Sequence, residues 1–374
     1  MIFDAKDITE KLKHELDGLQ QNVRKPNILL AGATGVGKSS LINLVFGQEL
    51  AKAGTGKPLT AHIDLYEKDD SAVRLYDSRG YEAGDDRIKE FMSEVVGLAD
   101  KFIDSPEEQI HLVWYCINAA GHRITDYDLS AIAQFVERKL PIAVVFTKCE
   151  LIDDDSAKQL HKIINAQSMA QIFETSAKKP EMFEDSLKRL ISWSNEQLPD
   201  QLRESFIKSQ KASLSIKWET AHRIIIQHSA AAFAIGFIPV PMSDAPLLVA
   251  NQMTLIARVL YIYDLDRFKD ILTGGLLGVL ISSLGKSIVS SLLKLIPLVG
   301  WIVGGAISGS VASVLTVALG EAVSGAAYGI YEAAVEGDIT KVQKLMQAFG
   351  GTVSEVAAQY FENRKSEASY KEPK

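Results

Sequence analysis

A chain of 374 residues suggests two or three domains, and its 47% of hydrophobic residues can form a sizeable core. The formal net charge of -7 argues against nucleic acid as the main partner, because phosphate backbones are bound by basic surfaces. Two cysteines are too few for a disulfide framework and fit a reducing compartment, and the first residues lack the basic and apolar regions of a secretory signal. We therefore expect a cytoplasmic protein.

The first predicted element is an amphipathic helix over residues 4–22. Its apolar residues recur at helical spacing among charged ones: Ile8, Leu12, Leu16 and Leu19. We expect residues 1–24 to hold this helix, packed either on the domain that follows or on the C-terminal part of the chain.

The next segment is a glycine-rich loop between a predicted buried strand, residues 26–31, and a predicted helix, residues 41–46. The loop fits the pattern of Gly, four residues, then Gly-Lys-Ser, which binds the phosphates of nucleotides. The residues assigned to phosphate binding are Gly32, Ala33, Thr34, Gly35, Val36, Gly37, Lys38, Ser39 and Ser40. Glycines let backbone N–H groups approach phosphate oxygens, and the helix start adds further unpaired N–H groups. Lys38 would reach the β- and γ-phosphates, and the Ser39 hydroxyl would hold Mg²⁺.

Two strands are predicted after a Gly- and Pro-rich loop over residues 47–61. They cover residues 62–66 and 73–76, and the second ends in Asp77-Ser78-Arg79-Gly80. An Asp at the end of a strand, followed by Gly after two intervening residues, senses magnesium and the γ-phosphate in such nucleotidases. We expect Asp77 to order a metal-bound water and the Gly80 N–H to contact the γ-phosphate.

Strands and helices continue to alternate up to residue 198. Strands are predicted at 111–117 and 141–146, and helices at 87–104 and 126–138. The later strands lead into two short motifs, Thr147-Lys148-Cys149-Glu150 and Thr175-Ser176-Ala177-Lys178. This alternation predicts a mostly parallel sheet with helices on both faces and a ligand at the C-terminal strand ends.

The ordered motifs resemble those of the translation-factor-related GTPases, and the phosphate loop is most similar to that of the bacterial Era-like GTPases and their immunity-related and septin-like relatives. The resemblance covers residues 25–198 and implies an α/β P-loop NTPase domain that binds GTP or GDP with Mg²⁺. It implies that Thr60, or as the alternative Thr55, closes on the metal and that Asp77 binds it through water. It also implies a guanine site formed by Thr147, Lys148, Glu150, Ser176, Ala177 and Lys178, in which Glu150 pairs with the base and the Ala177 N–H faces the guanine oxygen.

Two positions depart from the pattern of this family. The base-reading residue is usually Asp, and Glu150 is one methylene longer, although its carboxylate still accepts from two guanine donors that adenine lacks. Tyr81 stands where Ras-like enzymes place a water-orienting Gln, so hydrolysis to GDP and phosphate should be slow without a dimer partner or activator. Arg79 and Arg123 are candidates for supplying positive charge; alternatively, both pair with surface acids. The expected catalytic residues are Lys38, Thr60, Gly80 and Arg79.

The second half of the chain predicts an all-α domain over residues 199–364 and a disordered tail over 365–374. It holds long runs without Lys, Arg, Asp or Glu: residues 224–243, 271–285 and 295–320. The last run exceeds the roughly 20 residues needed to span a bilayer. Three structures remain open: a transmembrane hairpin, buried helices of a soluble domain, and helices that open onto a membrane or partner when GTP binds.

This half also resembles a bacterial domain of unknown function that follows Era-like GTPase domains. The likeness rests on residues 235–248 and on Ile-Pro-Leu-Val-Gly-Trp at residues 296–301. It implies a helical module that associates with a membrane surface or with a second copy. Two functions follow: a GTP-dependent switch coupled to that module, or a soluble assembly factor that times binding to a protein or ribosomal partner. The acidic charge and the apolar runs favour the first, without nucleic acid as a partner.

Overall fold

The computed structural model describes most of the chain. The described residues are 5–22, 24–47, 57–58, 63–67, 71–78, 93–98, 108–167, 170–236, 244–266 and 309–369. The chain divides into two compact units. Arg24–Ile216 forms one, here called the α/β unit, and Met1–Val23 with Lys217–Lys374 forms the other, called the helical unit.

The α/β unit is built on a seven-stranded sheet in the order β2-β3-β4-β1-β5-β6-β7. The strands are β1 Asn27–Ala31, β2 Lys57–Pro58, β3 Ile63–Tyr66, β4 Arg74–Ser78, β5 Leu112–Asn118, β6 Ile142–Thr147 and β7 Gln171–Glu174. The pairs β4–β1, β1–β5, β5–β6 and β6–β7 are parallel, whereas the pairs β2–β3 and β3–β4 are antiparallel. Strands β1, β5 and β6 are apolar almost throughout because both of their faces are covered. The predicted α/β fold with a mostly parallel sheet is confirmed.

The helices occur in both units. They are α1 Ala5–Gln21, α2 Lys38–Phe46, α3 Asp126–Glu137, α4 Asp154–Gln167, α5 Glu184–Gln197, α6 Asp200–Ser209, α7 Leu214–Ile235, α8 Asp244–Ile262, α9 Gly309–Glu336 and α10 Ile339–Ser369. Residues 93–98, within the helix predicted over 87–104, are also helical. The helical character predicted for the C-terminal region is therefore confirmed.

Strand β2 is a difference from the sequence prediction, which assigned residues 47–61 to a loop. Lys57 pairs with Leu65 and Pro58 with Asp64 at the edge of the sheet. A two-residue edge strand is too short to show the alternation of polar and apolar residues by which strands are recognised. Proline is tolerated there because an edge strand leaves one side unpaired.

The α/β unit extends beyond the predicted boundary at residue 198 and includes α6. Phe206 of α6 is buried and packs edge-on against Phe46 of α2, with ring centroids 6.3 Å apart. The Lys211 N–H then donates to the Val45 carbonyl oxygen at 2.7 Å. Helical periodicity identifies the apolar face of α6 but not the surface on which that face packs, and this explains the difference.

In the helical unit, α1 packs along α8, which is one of the two positions expected for the N-terminal helix. The Gln20 side-chain amide donates to Asp266 Oδ2 at 3.0 Å, and the Thr254 hydroxyl donates to Glu15 Oε2 at 3.2 Å. The fully buried Lys217 of α7 donates from Nζ to the Ile262 carbonyl oxygen at 2.8 Å, at the C-terminus of α8. Its ammonium also lies 4.7 Å from the centre of the Tyr331 ring of α9. Lys217 thus connects three helices.

The apolar runs of the second half are described only in part. Residues 237–243, 267–308 and 370–374 lie outside the described residues, and with them the whole run at 271–285 and about half of the run at 295–320. By length and composition alone, Ala312–Glu336 of α9 could cross a membrane, and 44% of its most apolar stretch is buried. The core helix of a soluble protein has the same properties, so the three alternatives remain predictions.

Candidate functional site

The glycine-rich loop connects β1 to α2 with a backbone that only glycine adopts readily. Gly32, Gly35 and Gly37 have φ values of 131°, 73° and 110°. A Cβ atom on Gly32 would lie 2.2 Å from the carbonyl oxygen of Cys116 in β5, which is far inside van der Waals contact. The loop therefore lies directly against the neighbouring strand and then leads into α2, whose first N–H groups are unpaired within the helix.

Lys38 begins α2 and is held inside the loop. Its Nζ donates to the carbonyl oxygens of Gly32 at 2.9 Å and Ala33 at 3.0 Å, and the residue is buried. Burial lowers the pKa of its ammonium group, while the nearby carboxyl of Asp77 opposes that shift. A buried ammonium at the start of a helix attracts an anion into the loop.

Asp77 lies in β4, next to the glycine-rich loop. Ser39 Oγ donates to Asp77 Oδ2 at 3.4 Å, whereas Oδ1 is buried and has no hydrogen-bond partner among the described residues. Burial raises the pKa of Asp77 to about 6, although Lys38 and the Ser39 hydrogen bond act in the opposite direction. A hydroxyl and a carboxylate with an unsatisfied oxygen are hard donors of the kind that Mg²⁺ prefers, so these residues fit that metal.

A cavity of about 320 Å³ opens beside the loop and is large enough for a nucleotide base. It is lined by Gly37, Ser40, Leu41, Leu44, Thr147, Lys148, Glu150, Leu151, Thr175, Ala177 and Lys178. The structure therefore brings residues of three predicted motifs together: the glycine-rich loop, the loop after β6 and the loop after β7. Sequence reasoning missed Leu41, Leu44, Leu151 and Thr175. Leu44 lies four residues after Ser40 on the same face of α2, which is the signal that could have identified it.

The loop after β6 is fastened to the glycine-rich loop by two side chains. The Thr147 hydroxyl donates to the carbonyl oxygen of Val36 and lies 3.3 Å from that of Ile117. Lys148 has a left-handed backbone with φ 58°, and its Nζ donates to the Gly35 carbonyl oxygen at 2.8 Å. The stem of Lys148 therefore extends along one wall of the cavity.

The loop after β7 forms another wall of the cavity. The Thr175 N–H donates to the Phe146 carbonyl oxygen at 2.8 Å, and the Cys149 N–H donates to the Thr175 carbonyl oxygen at 3.2 Å. Ser176 Oγ accepts from the Lys178 and Lys179 N–H groups at 3.2 and 2.9 Å, which tightens the turn that carries Ala177.

Glu150 provides an unsatisfied acceptor at this cavity. Its Oε2 atom is buried and has no hydrogen-bond partner among the described residues. An unpaired buried acceptor costs about 1–3 kcal/mol, which a ligand with N–H donors can offset. Guanine offers a ring N–H and an amino group side by side, whereas adenine offers no such donor pair.

The remaining predicted site residues are not all described. Thr55, Thr60, Arg79, Gly80 and Tyr81 lie outside the described residues. The second arginine candidate, Arg123, is exposed ahead of α3.

Comparisons with known proteins show that part of this chain is similar to GTP-binding proteins. The sequence profile of the family described as "50S ribosome-binding GTPase" matches residues 27–148. The "Probable GTP-binding protein EngB" of Wolbachia pipientis wMel is 30% identical over 148 residues, which are 38% of this chain and 70% of that protein. The protein of the same name from Aquifex aeolicus (strain VF5) is 25% identical over 169 residues, 45% of this chain and 90% of that one.

Two solved structures are also similar. The crystal structure of a probable GTP-binding protein engB has a TM-score of 0.37 and 17% identity, and the match covers 46% of this chain and 99% of that one. The bacterial selenocysteine-specific elongation factor EF-Sec has a TM-score of 0.33 and 17% identity, with 47% and 30% covered.

Proposed function

The chain belongs to the family of P-loop GTPases described as 50S ribosome-binding GTPases, and we propose that it is a nucleotide-dependent switch that hydrolyses GTP slowly. Its nucleotide state is coupled to the helical unit, which associates with a membrane surface or with a second copy of the chain. The observation that supports GTP as the ligand is the buried, unsatisfied Oε2 of Glu150 at a cavity of about 320 Å³ beside the glycine-rich loop.

The phosphate end of the site acts through the chain's own donors. Backbone N–H groups of the glycine-rich loop and the Lys38 ammonium hold the phosphates, and their charge is already in place before the reaction begins. Ser39 and Asp77 would hold Mg²⁺, with Thr60 as a further ligand. The metal, when bound, neutralises negative charge on the phosphate oxygens.

Slow hydrolysis is expected from the residue that follows the Asp77-Ser78-Arg79-Gly80 motif in the sequence. Tyr81 occupies the position of a water-orienting Gln and does not place a water in the same way. Arg79 supplies positive charge, in the same copy or across a nucleotide-dependent dimer. After hydrolysis, the γ-phosphate contacts of Thr60 and Gly80 are lost and their loops relax, which is how the nucleotide state reaches the rest of the chain.

A second candidate function is that of a soluble assembly factor that uses GTP to time binding to a ribosomal or other protein partner. The description of the family as ribosome-binding favours it. The net charge of -7 opposes direct binding to ribosomal RNA, because each phosphate contact requires a basic group. The long uncharged runs of the second half favour the membrane-associated or self-associating switch.

The experiment that tests the ligand assignment is a titration with fluorescent nucleotides, competed by GTP, ATP and XTP. Glu150→Gln should weaken GTP binding about ten-fold or more and improve XTP binding, because the amide donates to the second carbonyl of xanthine. Glu181→Gln, an exposed change outside the cavity, is the matched control and should leave both affinities unchanged. GTP binding that is equal in the wild type and Glu150→Gln would remove Glu150 from the base site.

A further inference from the structure

Two aspartates lie side by side on neighbouring strands next to the glycine-rich loop. Asp64 of β3 is the direct partner of Asp77 of β4 in the antiparallel register of these strands. Directly opposed residues of antiparallel strands have Cβ atoms about 4.5–5.5 Å apart, and their side chains extend from the same face of the sheet. The two carboxyl groups are therefore close neighbours, although Asp64 belongs to none of the sequence motifs of the site.

The residues that precede the two aspartates show which face this is. Ile63 and Tyr76 are both buried in the apolar core on one side of the sheet. Since successive residues of a strand point to opposite faces, Asp64 and Asp77 extend from the other side. That side carries the start of α2, because the Ser39 hydroxyl donates to Asp77 Oδ2 at 3.4 Å. Asp64 therefore lies on the side of the sheet where the phosphate-binding helix begins.

The charge of Asp64 acts on Asp77. Burial is the largest cause of the raised pKa of Asp77, the charge of Asp64 raises it further, and the ammonium of Lys38 lowers it. These are the two side-chain charges of the described residues that act on Asp77. One ammonium and two carboxylates leave an excess of negative charge at a point that nucleotide phosphates would also approach. Such a group of like charges is favourable only with a cation among them.

The two carboxyl groups differ in a way that fits a hydrated cation. Asp77 is only 7% exposed, and its Oδ1 has no hydrogen-bond partner among the described residues, so this oxygen requires a cation or a water. Asp64 is only partly buried, which leaves room for water beside it. Mg²⁺ usually keeps several of its waters and is held in proteins by one or two carboxylates.

We propose that Asp64 is a second carboxylate of the Mg²⁺ site, which accepts a hydrogen bond from water on the metal and so strengthens metal binding. It is a positioning residue, since it acts on the metal through water. This inference rests on the proposed function, in which Ser39 and Asp77 hold the metal. It also has a consequence that a purely structural residue would not have: without a metal, the charge of Asp64 repels the phosphates and opposes nucleotide binding.

The test is a titration of the full chain with fluorescent GDP, once in Mg²⁺ and once in EDTA. GDP excludes any effect of hydrolysis, and the quantity compared is the ratio of the two affinities. Asp64→Asn fills the same space without the charge and should lower this ratio about ten-fold, as is typical for the loss of a group that supports a metal from its outer shell. The affinity in EDTA should stay equal or rise, because the repulsion is removed.

Two further variants serve as controls. Asp185→Asn removes the same charge from an exposed position at the start of α5 and should leave the ratio unchanged. Asp77→Asn should lower the ratio at least as far as Asp64→Asn does, because Asp77 holds the unsatisfied oxygen. The metal can also be observed directly, since Mn²⁺ suits the same oxygen ligands. Electron paramagnetic resonance of free Mn²⁺, with the chain saturated with GDP, should show weaker Mn²⁺ binding by Asp64→Asn than by Asp185→Asn.

The outcomes separate this inference from the function on which it rests. If Asp77→Asn lowers the ratio and Asp64→Asn does not, Asp64 is no part of the metal site, while the site itself stands. If Asp64→Asn weakens binding by the same factor in Mg²⁺ and in EDTA, Asp64 only supports the fold, and the inference is overturned. If neither variant lowers the ratio, the proposed metal site fails together with the inference. A wild-type chain that binds no guanine nucleotide would overturn the proposed function itself.

Discussion

Thr147 donates its hydroxyl hydrogen bond to the carbonyl oxygen of Val36, so the end of β6 is tied directly to the glycine-rich loop. Thr147 also lies against Gly37, where an added Cβ atom would be 3.4 Å from the Thr147 Cβ. One residue therefore aligns the wall that carries Lys148 and Glu150 with the glycine-rich loop. These two parts of the site are more than a hundred residues apart in the chain, and Thr147 sets their spacing.

Thr147→Val should weaken GTP binding about five- to ten-fold, because the Val36 carbonyl loses a buried donor worth about 1–1.5 kcal/mol. Titration with a fluorescent GTP analogue measures the change. Thr147→Ser keeps the hydroxyl and should recover most of the affinity. Equal binding by the valine and serine variants would show that the hydrogen bond does not position the loop.

Gly32→Ala should abolish nucleotide binding and lower the unfolding free energy of the α/β unit by more than about 2 kcal/mol. The new Cβ would meet the Cys116 carbonyl oxygen at 2.2 Å, and the φ of 131° is unfavourable for alanine. Gly97→Ala is the control, since this helical glycine has open space around its Cβ position; it should raise stability by about 0.5–1 kcal/mol. Denaturant unfolding compares the two, and similar stabilities would contradict the close approach of the loop to β5.

Metal-dependent GTP binding should fall as the pH drops through about 6. In the proposed Mg²⁺ site Asp77 would act only as a carboxylate, and burial raises its pKa to about 6. The ionised fraction then falls roughly four-fold between pH 7.5 and 5.5. Asp77→Asn, compared at the same pH values with Mg²⁺, should show only the titration of the nucleotide itself.

The raised pKa of Asp77 also affects the stability of the nucleotide-free fold, but in the opposite direction: low pH stabilises the fold. Because the pKa of Asp77 is raised in the folded state, its protonation favours the fold. That contribution is fully present below the ordinary value of 3.8 and is lost as the pH rises through about 6.

An Asp77→Asn variant whose metal-dependent GTP affinity followed the wild-type pH profile would contradict the role of this carboxyl.

Lys217→Met should lower the unfolding free energy of the helical unit by about 1–3 kcal/mol, because the Ile262 carbonyl oxygen loses its buried donor and Tyr331 loses a cation. Lys341→Met removes an exposed ion pair with Glu336 and should cost less than about 0.5 kcal/mol. Circular dichroism during denaturant titration follows both variants. If the two variants were equally stable, Lys217 would not connect the helices as the structure indicates.

The parts of the fold that the sequence could predict are those with local signals. The apolar runs of β1, β5 and β6 and the spacing of the glycine-rich loop can be recognised without a structure. The contact of Gly32 with Cys116 cannot, because it joins strands far apart in the sequence. In the same way, the apolar face of α1 is evident from its periodicity, but its packing on α8 depends on residues more than two hundred positions away.

In the candidate site, too, local motifs could be predicted from the sequence, whereas contacts between distant residues could not. The motifs that contain Lys148 and Glu150 could be found from their spacing, whereas the cavity they form with Leu44 and Leu151 depends on how the loops close. The unsatisfied oxygens of Asp77 and Glu150 could not be predicted either, since burial of single atoms is a property of the packed structure.

The most direct test of the proposed GTPase activity is the hydrolysis of GTP and ATP by the full chain, measured as phosphate release with and without Mg²⁺. Lys38→Ala is the control, because it removes the buried ammonium from the phosphate loop. We predict slow release from GTP that requires both Mg²⁺ and Lys38, and no comparable release from ATP. Equal rates with GTP and ATP, or a rate from GTP that the Lys38→Ala variant retains, would contradict this activity.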